Sequence, residues 1–177
     1  MKLSSIRRNV GAKFRIKSGI AAAVLAVAGM ASTPAFATTS VTTTFDVTAT
    51  VSSVCTIAAN ALSFGTYTGA ASSVNTTVTV TCNQTTPFNV GLSAGAATGA
   101  TVTTRKMTGP GGATLNYALY QNSALTTNWG NTVGTDTVSG TTTGTTADAL
   151  QVYGTIPAGQ SVTPGGYTDT ITATVTY

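Results

Sequence analysis

The sequence predicts an all-β fold, an immunoglobulin-like sandwich of six or seven strands. Three observations predict it. Thr is the commonest of the 177 residues, with Ala, Gly and Val behind it, and helix formers other than Ala are scarce. Several stretches alternate apolar and polar residues with a period of two, and none keeps a helical period of useful length. Turn residues, mainly Gly, Pro and Asn, separate these stretches.

The chain opens differently. Six of its eight Lys and Arg fall in the first seventeen residues: Lys2, Arg7, Arg8, Lys13, Arg15 and Lys17. The apolar run Gly19 to Ala31 follows, then "STPAFA". A charged start, a short apolar core and an Ala-Phe-Ala ending predict a secretory signal peptide over residues 1–37, cut after Ala37. The apolar run is shorter than the ~20 residues that span a bilayer, so no membrane insertion is expected. Arg7-Arg8 hints at twin-arginine export, but "RRNVGA" lacks the apolar residues that should follow the pair. Without the leader, Arg105 and Lys106 stand against Asp46, Asp136, Asp148 and Asp169: two cations, four anions, net charge −2. The basic sequence pI thus belongs to the leader and gives no support to binding nucleic acid or an anionic membrane.

"VTTTFDVTATVSSVCTI" (Val41 to Ile57) reads as one unbroken strand, with Val41, Phe45, Val47, Ala49 and Val51 on one side. "NALSFGTYTGAASS" (Asn60 to Ser73) is a loop rich in turn residues. "VNTTVTVTCN" (Val74 to Asn83) is a strand, and "PFNVGLSA" (Pro87 to Ala94) another, opened by a Pro where a missing N–H is tolerable. "GPGG" at 109–112 turns a hairpin whose returning strand is "LNYALYQN". Residues 123–148 read as loop with short edge strands. "DALQVYGTIPAGQ" (Asp148 to Gln160) holds a strand ended by Pro157, and "SVTPGGY" turns into the last strand. In that last strand, Gly165 to Tyr177, Tyr167, Asp169, Ile171, Ala173, Val175 and Tyr177 share one side and five Thr the other.

Cys55 and Cys82 both lie in the exported part, so a single structural disulfide is the simplest reading. Neither a Cys-x-x-Cys spacing nor further His or Cys ligands favour a redox or metal site.

The run at 41–57 carries the functional argument. At about 3.3 Å per residue it would extend beyond about 50 Å, whereas sandwich strands usually have about 5–6 residues. Cys55 must sit against Cys82, so Val41 to Val47 should project beyond the domain. A fold-back needs a turn, and Asp46 to Ser53 contains no Gly, Pro or Asn. The last strand meanwhile offers an open edge. The economical solution is intermolecular: the N-terminal segment of one copy adds to the last strand of the next. Such a contact is head-to-tail and propagates into a filament. Burying each large donor side chain contributes about 1.5–3 kcal/mol.

Chemistry for catalysis is missing. With no His, Ser-His and Cys-His mechanisms are excluded, and four scattered Asp without any Glu make a carboxylate pair improbable. No enzyme activity, cofactor or metal is expected. Asp136 and Asp148 read as solvated loop aspartates, Arg105-Lys106 as a solvated strand or turn, and Trp129 as a core cap rather than a sugar platform. "GAATGA" at 95–100 reads as a flexible loop. The matches at Asn75 and Asn83 to a glycosylation acceptor arise easily in a Thr-rich chain.

The motifs "FDVTATVSSVCTI", "LSFGTY", "VTVTCN", "LNYALYQNSALTTNWG", "VYGTIPAGQ" and "GGYTDTITATVTY" together resemble the spore coat protein U domain family, which includes major subunits of archaic (Csu-type) chaperone–usher pili. The resemblance covers the chain after the leader. It implies an incomplete immunoglobulin-like sandwich of about six strands, completed by a donor strand from another chain. The implied partners are identical subunits in a head-to-tail polymer, a periplasmic chaperone that anchors the Tyr177 carboxylate, and an outer-membrane usher. The implied location is the cell surface, reached through the periplasm, and the implied role is a fibre for attachment or biofilm formation. On this sequence the donor segment is 38–48, with Val41, Thr43, Phe45 and Val47 facing a groove, ahead of a sandwich domain at 49–177. The acceptor edge is Tyr167, Ile171, Ala173, Val175 and Tyr177. Thr43 departs from the larger apolar residue expected there, which leaves the donor register open by a residue pair. One domain behind a donor segment suits a shaft subunit. The alternative is a self-complete secreted coat or carbohydrate-binding sandwich.

Overall fold

A strand persists only where a neighbour takes up its backbone N–H and C=O groups, and this rule decides which alternating stretches of the chain become sheet. The computed structural model describes residues 37–177; the predicted signal peptide, 1–37, lies outside the described residues except for Ala37. The chain divides into two units, Met1–Val47 and Thr48–Tyr177. In the first, residues 37–47 are exposed and carry no strand or bridge.

The second unit has eight strands: β1 (Cys55–Ala59), β2 (Ser72–Cys82), β3 (Pro87–Leu92), β4 (Arg105–Thr108), β5 (Thr114–Tyr120), β6 (Val138–Thr141), β7 (Asp148–Ile156) and β8 (Ala173–Thr176). They form a five-stranded sheet, β1-β2-β7-β5-β4, and a three-stranded sheet, β6-β3-β8. Every ladder is antiparallel. Val78 and Val80 of β2, Phe88 and Val90 of β3, Leu115 and Leu119 of β5, and Val152 and Ile156 of β7 fill the buried core. The alternation of β2 sends its Thr residues outward between these Val, as period two requires. A single 3₁₀ turn at Pro110–Gly112 closes the β4–β5 hairpin, where Gly111 and Gly112 take positive φ.

Three expectations are corrected. The first strand begins at Cys55 rather than Val41: residues 37–51 pair with no strand among the described residues, and Ser52 to Val54 are held by hydrogen bonds with Asn83, Gln84 and Thr86 rather than by a ladder, so the alternation yields exposed chain instead of sheet. The last strand is shorter than the predicted Gly165 to Tyr177. Only Ala173–Thr176 pairs continuously with β3, while Thr168 makes an isolated bridge to Thr108. The segment thus crosses from the β4 edge to the β3 edge.

The third correction concerns Arg105, predicted to be solvated and in fact fully buried. Its guanidinium donates to the carbonyls of Ser93 (2.9 Å), Val102 (2.7 Å), Leu92 (3.0 Å) and Trp129 (2.6 Å). Four backbone acceptors compensate the desolvation that would otherwise exclude a buried cation. Burial still lowers its pKa, against the opposing fields of Tyr117, Asp169 and Asp136. Trp129 packs wholly inside, and its indole N–H donates to the Val90 carbonyl at 2.8 Å.

Candidate strand-acceptor groove and donor segment

β1 ends one sheet and β8 ends the other. The disulfide Cys55–Cys82 joins residues directly opposed in the β1–β2 register and fastens the edge strand to its neighbour. Residues 167–172 lead into β8. Thr168 exchanges both backbone bonds with Thr108, and Ser93 N–H donates to the Thr172 carbonyl. Even-numbered residues therefore turn their backbone groups toward the body. The backbone N–H and C=O of Tyr167, Asp169 and Ile171 have no partner among the described residues. This row is an open ladder.

The side chains of the same odd-numbered residues turn inward and are half-buried. They roof a cavity of about 410 Å³ whose walls include Leu62, Phe64, Leu92, Met107, Leu119 and Ile171. A second cavity of about 570 Å³ adjoins it, sharing Leu62, Phe64, Met107 and Tyr167. The first is mainly apolar and the second more polar, and together they make a trough beside the open ladder.

Sequence features hold the trough open. The Leu62–Phe64 stretch lies over Gly154 of β7, where a Cβ would stand 2.7 Å from Leu62 Cδ2 and 2.9 Å from the Phe64 ring. Phe64 meets Tyr117 edge-on, ring centres 6.0 Å apart. Below them, the Tyr67 hydroxyl donates to the Pro157 carbonyl at 2.9 Å and accepts from the Gln160 N–H at 3.0 Å. The Gln160 amide in turn pairs with both the N–H and C=O of Asn116, as a neighbouring strand would.

One charge interrupts the apolar lining. Asp169 Oδ2 accepts from the Tyr117 hydroxyl at 2.7 Å, and Oδ1 accepts from Ala96 N–H at 2.8 Å and Thr170 N–H at 2.7 Å. Burial first, then the hydrogen bond to Asp169 and its charge, push the Tyr117 phenol well above its ordinary pKa.

Of the predicted edge residues, Tyr167, Ile171 and Ala173 line the cavity. Val175 packs against the core farther along, and Tyr177 is 56% exposed. The predicted donor residues Val41, Phe45 and Val47 are 97%, 83% and 83% exposed, and Thr43 is exposed beside them. Sequence reasoning missed Asp169, Tyr117, Leu62, Phe64 and Met107 as lining. For Asp169 a signal existed: it occupies the inward parity of the last strand. Asp136 and Asp148, expected as solvated loop aspartates, are both half-buried: Asp136 Oδ1 accepts from the Thr132 N–H and Asp148 opens β7. No group of three or more His, Cys, Asp or Glu able to hold a metal occurs among the described residues. No helix among them is long and apolar enough to cross a membrane.

Known proteins share this architecture. A chain in the crystal structure of the CsuC–CsuE chaperone–tip adhesion subunit pre-assembly complex, from archaic chaperone–usher Csu pili of Acinetobacter baumannii, superposes with a TM-score of 0.56 at 25% identity. The match covers 72% of the present chain and 41% of that one, so the present chain spans less than half its length. It is also similar to Protein U of Myxococcus xanthus, 33% identical over 185 residues, covering 92% of the chain and 98% of that protein. The fold is thus an all-β, immunoglobulin-like sandwich with an incomplete strand set. Residues 41–174 match the Spore Coat Protein U domain, and the chain belongs to that family.

Proposed function

We propose that the protein is a structural subunit of a secreted surface fibre, polymerised by donor-strand exchange and serving attachment or biofilm formation. One observation carries the reading: unpaired backbone along Tyr167, Asp169 and Ile171 borders an apolar cavity, in a chain whose segment 41–47 presents Val41, Phe45 and Val47 on one side and leaves them exposed. The ladder needs a strand, and the segment needs both a ladder and a trough. The pilus complex that shares the fold supports a periplasmic chaperone as first occupant of the groove and an usher as the site of exchange. The division of labour would be residues 1–37 for export, 38–48 as donor, and 49–177 as acceptor domain.

Topology favours exchange between copies over self-completion. β2 passes to β3 through residues 83–86, so β3 returns in the opposite sense. β1 is antiparallel to β2 and β8 to β3, which sets β1 and β8 in opposite senses. A donor antiparallel to the last strand is therefore parallel to β1. Parallel neighbours need a crossover of about a dozen residues or more, and only residues 48–54 separate Val47 from Cys55.

The test is deletion of residues 38–48, followed by addition of the same segment as a free peptide. The full chain should give a ladder of species on mild SDS gels that collapses on boiling. The truncated chain should give none, yet capture the peptide. A full chain that is a stable monomer, made without any chaperone, would instead mark a self-complete coat or carbohydrate-binding protein.

A further inference from the structure

We infer that Asp169 is a polar notch in the acceptor groove that reads the Thr43 hydroxyl of the incoming segment and so fixes its register. The inference rests on the donor-strand reading above. It starts from a mismatch shared by both sides. The inward face of the donor is Val41, Thr43, Phe45 and Val47, apolar except at Thr43. The inward face of the last strand is Tyr167, Asp169, Ile171 and Ala173, in which Asp169 is the charged residue.

Parity restricts the choices. The unpaired backbone groups belong to odd-numbered residues of the last strand, whose side chains also face inward. An antiparallel donor must set its own inward, odd-numbered residues directly opposite them. Allowed registers therefore differ by steps of two residues, and each step moves Thr43 to a different partner. Only one step places Thr43 opposite Asp169. It also sets Val41 opposite Ile171 and Phe45 opposite Tyr167. Phe45 then lies beside Tyr167, which with Leu62, Phe64 and Met107 borders both cavities.

Chemistry prefers that step. An ionised carboxylate has about four acceptor sites. Three are taken, by Tyr117, Ala96 and Thr170. A fourth remains on Oδ2 for a hydroxyl donor. A shift of two residues would press Val41 or Phe45 onto the carboxylate and strip its remaining water with nothing in return, while leaving the Thr43 hydroxyl against apolar side chains. The polar position thus acts less by attraction than by penalising every other register.

The full chain supplies the test, through paired cysteines in assembled material. Val41→Cys with Ile171→Cys should give a covalent ladder that survives boiling without reductant. Val41→Cys with Ala173→Cys, one step out of register, should not. Separately, Thr43→Val keeps the donor's shape and removes its hydroxyl. It should speed dissociation of the assembled ladder by about tenfold, the effect of losing one hydrogen bond to a charged group, and Thr43→Ser should restore it. A ladder from the 41/173 pair, a ladder from neither pair, or a Thr43→Val polymer as durable as the parent would each overturn the notch while leaving strand exchange intact. A parent chain that never polymerises would instead overturn the underlying reading, so the two failures are distinguishable.

Discussion

Tyr117 and Asp169, 52 residues apart in the chain, meet at the floor of the groove with the phenol oxygen 2.7 Å from the carboxylate. The bond ties β5 of one sheet to the segment that leads into the edge strand of the other. The phenol's pKa is raised in the folded protein above its ordinary value of 10.0. A raised folded-state value means stability that is fully present below about pH 10 and lost as pH climbs above it, because only the unfolded chain ionises there. The unfolding free energy from urea titrations should therefore fall above about pH 10, by at most about 1.4 kcal/mol per pH unit from this group. Tyr117→Phe should flatten that fall and lower stability at neutral pH by about 1–2 kcal/mol. An unchanged alkaline slope in Tyr117→Phe would show that the pair does not couple to folding.

Arg105 offers a sharper case. Replacing it with Met keeps much of its volume but strands four carbonyls, those of Leu92, Ser93, Val102 and Trp129. Unsatisfied buried polar groups cost about 1–3 kcal/mol each before relaxation. The loss should exceed about 3 kcal/mol, among the largest of any single substitution in this chain. Arg105→Lys cannot fork toward so many acceptors and should recover only part of it. Equilibrium denaturation of both variants checks the order; equal stability of Met and Arg would refute the staple.

These two sites mark where sequence reading stops. β2, β3, the β4–β5 hairpin and β7 were legible because their alternation matched ladders formed within the chain. Val41 to Val51 alternates as clearly, yet stays out of the sheets, because period two reports a preference and not the presence of a neighbour. The inward parity of Tyr167, Asp169 and Ile171 was legible, but not the Tyr117 hydroxyl that meets Asp169. Arg105 was misread because "TTRKMT" looks like any polar turn. What buries it is a set of backbone carbonyls from three separate segments, and backbone acceptors leave no trace in composition.

Gln160 completes a sheet edge with a side chain. Its amide donates to the Asn116 carbonyl at 2.9 Å and accepts from the Asn116 N–H at 2.8 Å, beyond the point where β7 ends at Ile156. Gln160→Ala should cost about 1–2 kcal/mol. Gln160→Glu keeps an acceptor for the N–H but sets a carboxylate against the carbonyl, so it should recover little. Thermal unfolding of the two variants separates bond loss from loss of bulk.

The Cys55–Cys82 disulfide closes a separation of 27 residues. On the chain-entropy model it contributes about 3–4 kcal/mol. A Cys55→Ser, Cys82→Ser chain should lose that much. It should lose more in strand capture than in sheet content, because among the described residues β1 pairs only with β2 and its last residue, Ala59, lines the cavity. Circular dichroism with peptide capture on the same sample reads both.

Gly154 links the sandwich to the groove most directly. It is buried in β7, and an added Cβ would stand 2.7 Å from Leu62, 2.9 Å from Phe64 and 3.4 Å from Leu119. Its backbone is ordinary for a strand, so the cost of substitution is one of space rather than of dihedral angle. The Leu62–Phe64 stretch has no ladder of its own and is the softest of the three neighbours. Gly154→Ala should lift it, shrink the apolar wall, and cost about 1–3 kcal/mol by overpacking. Gly166, where a Cβ would meet nothing, gives the control: Gly166→Ala should leave stability within about 0.5 kcal/mol of the parent. If the wall shapes the acceptor site, Gly154→Ala should weaken capture of the 38–48 peptide beyond what its stability loss explains. Capture that tracks stability alone would assign Leu62 and Phe64 to the core and not to the groove.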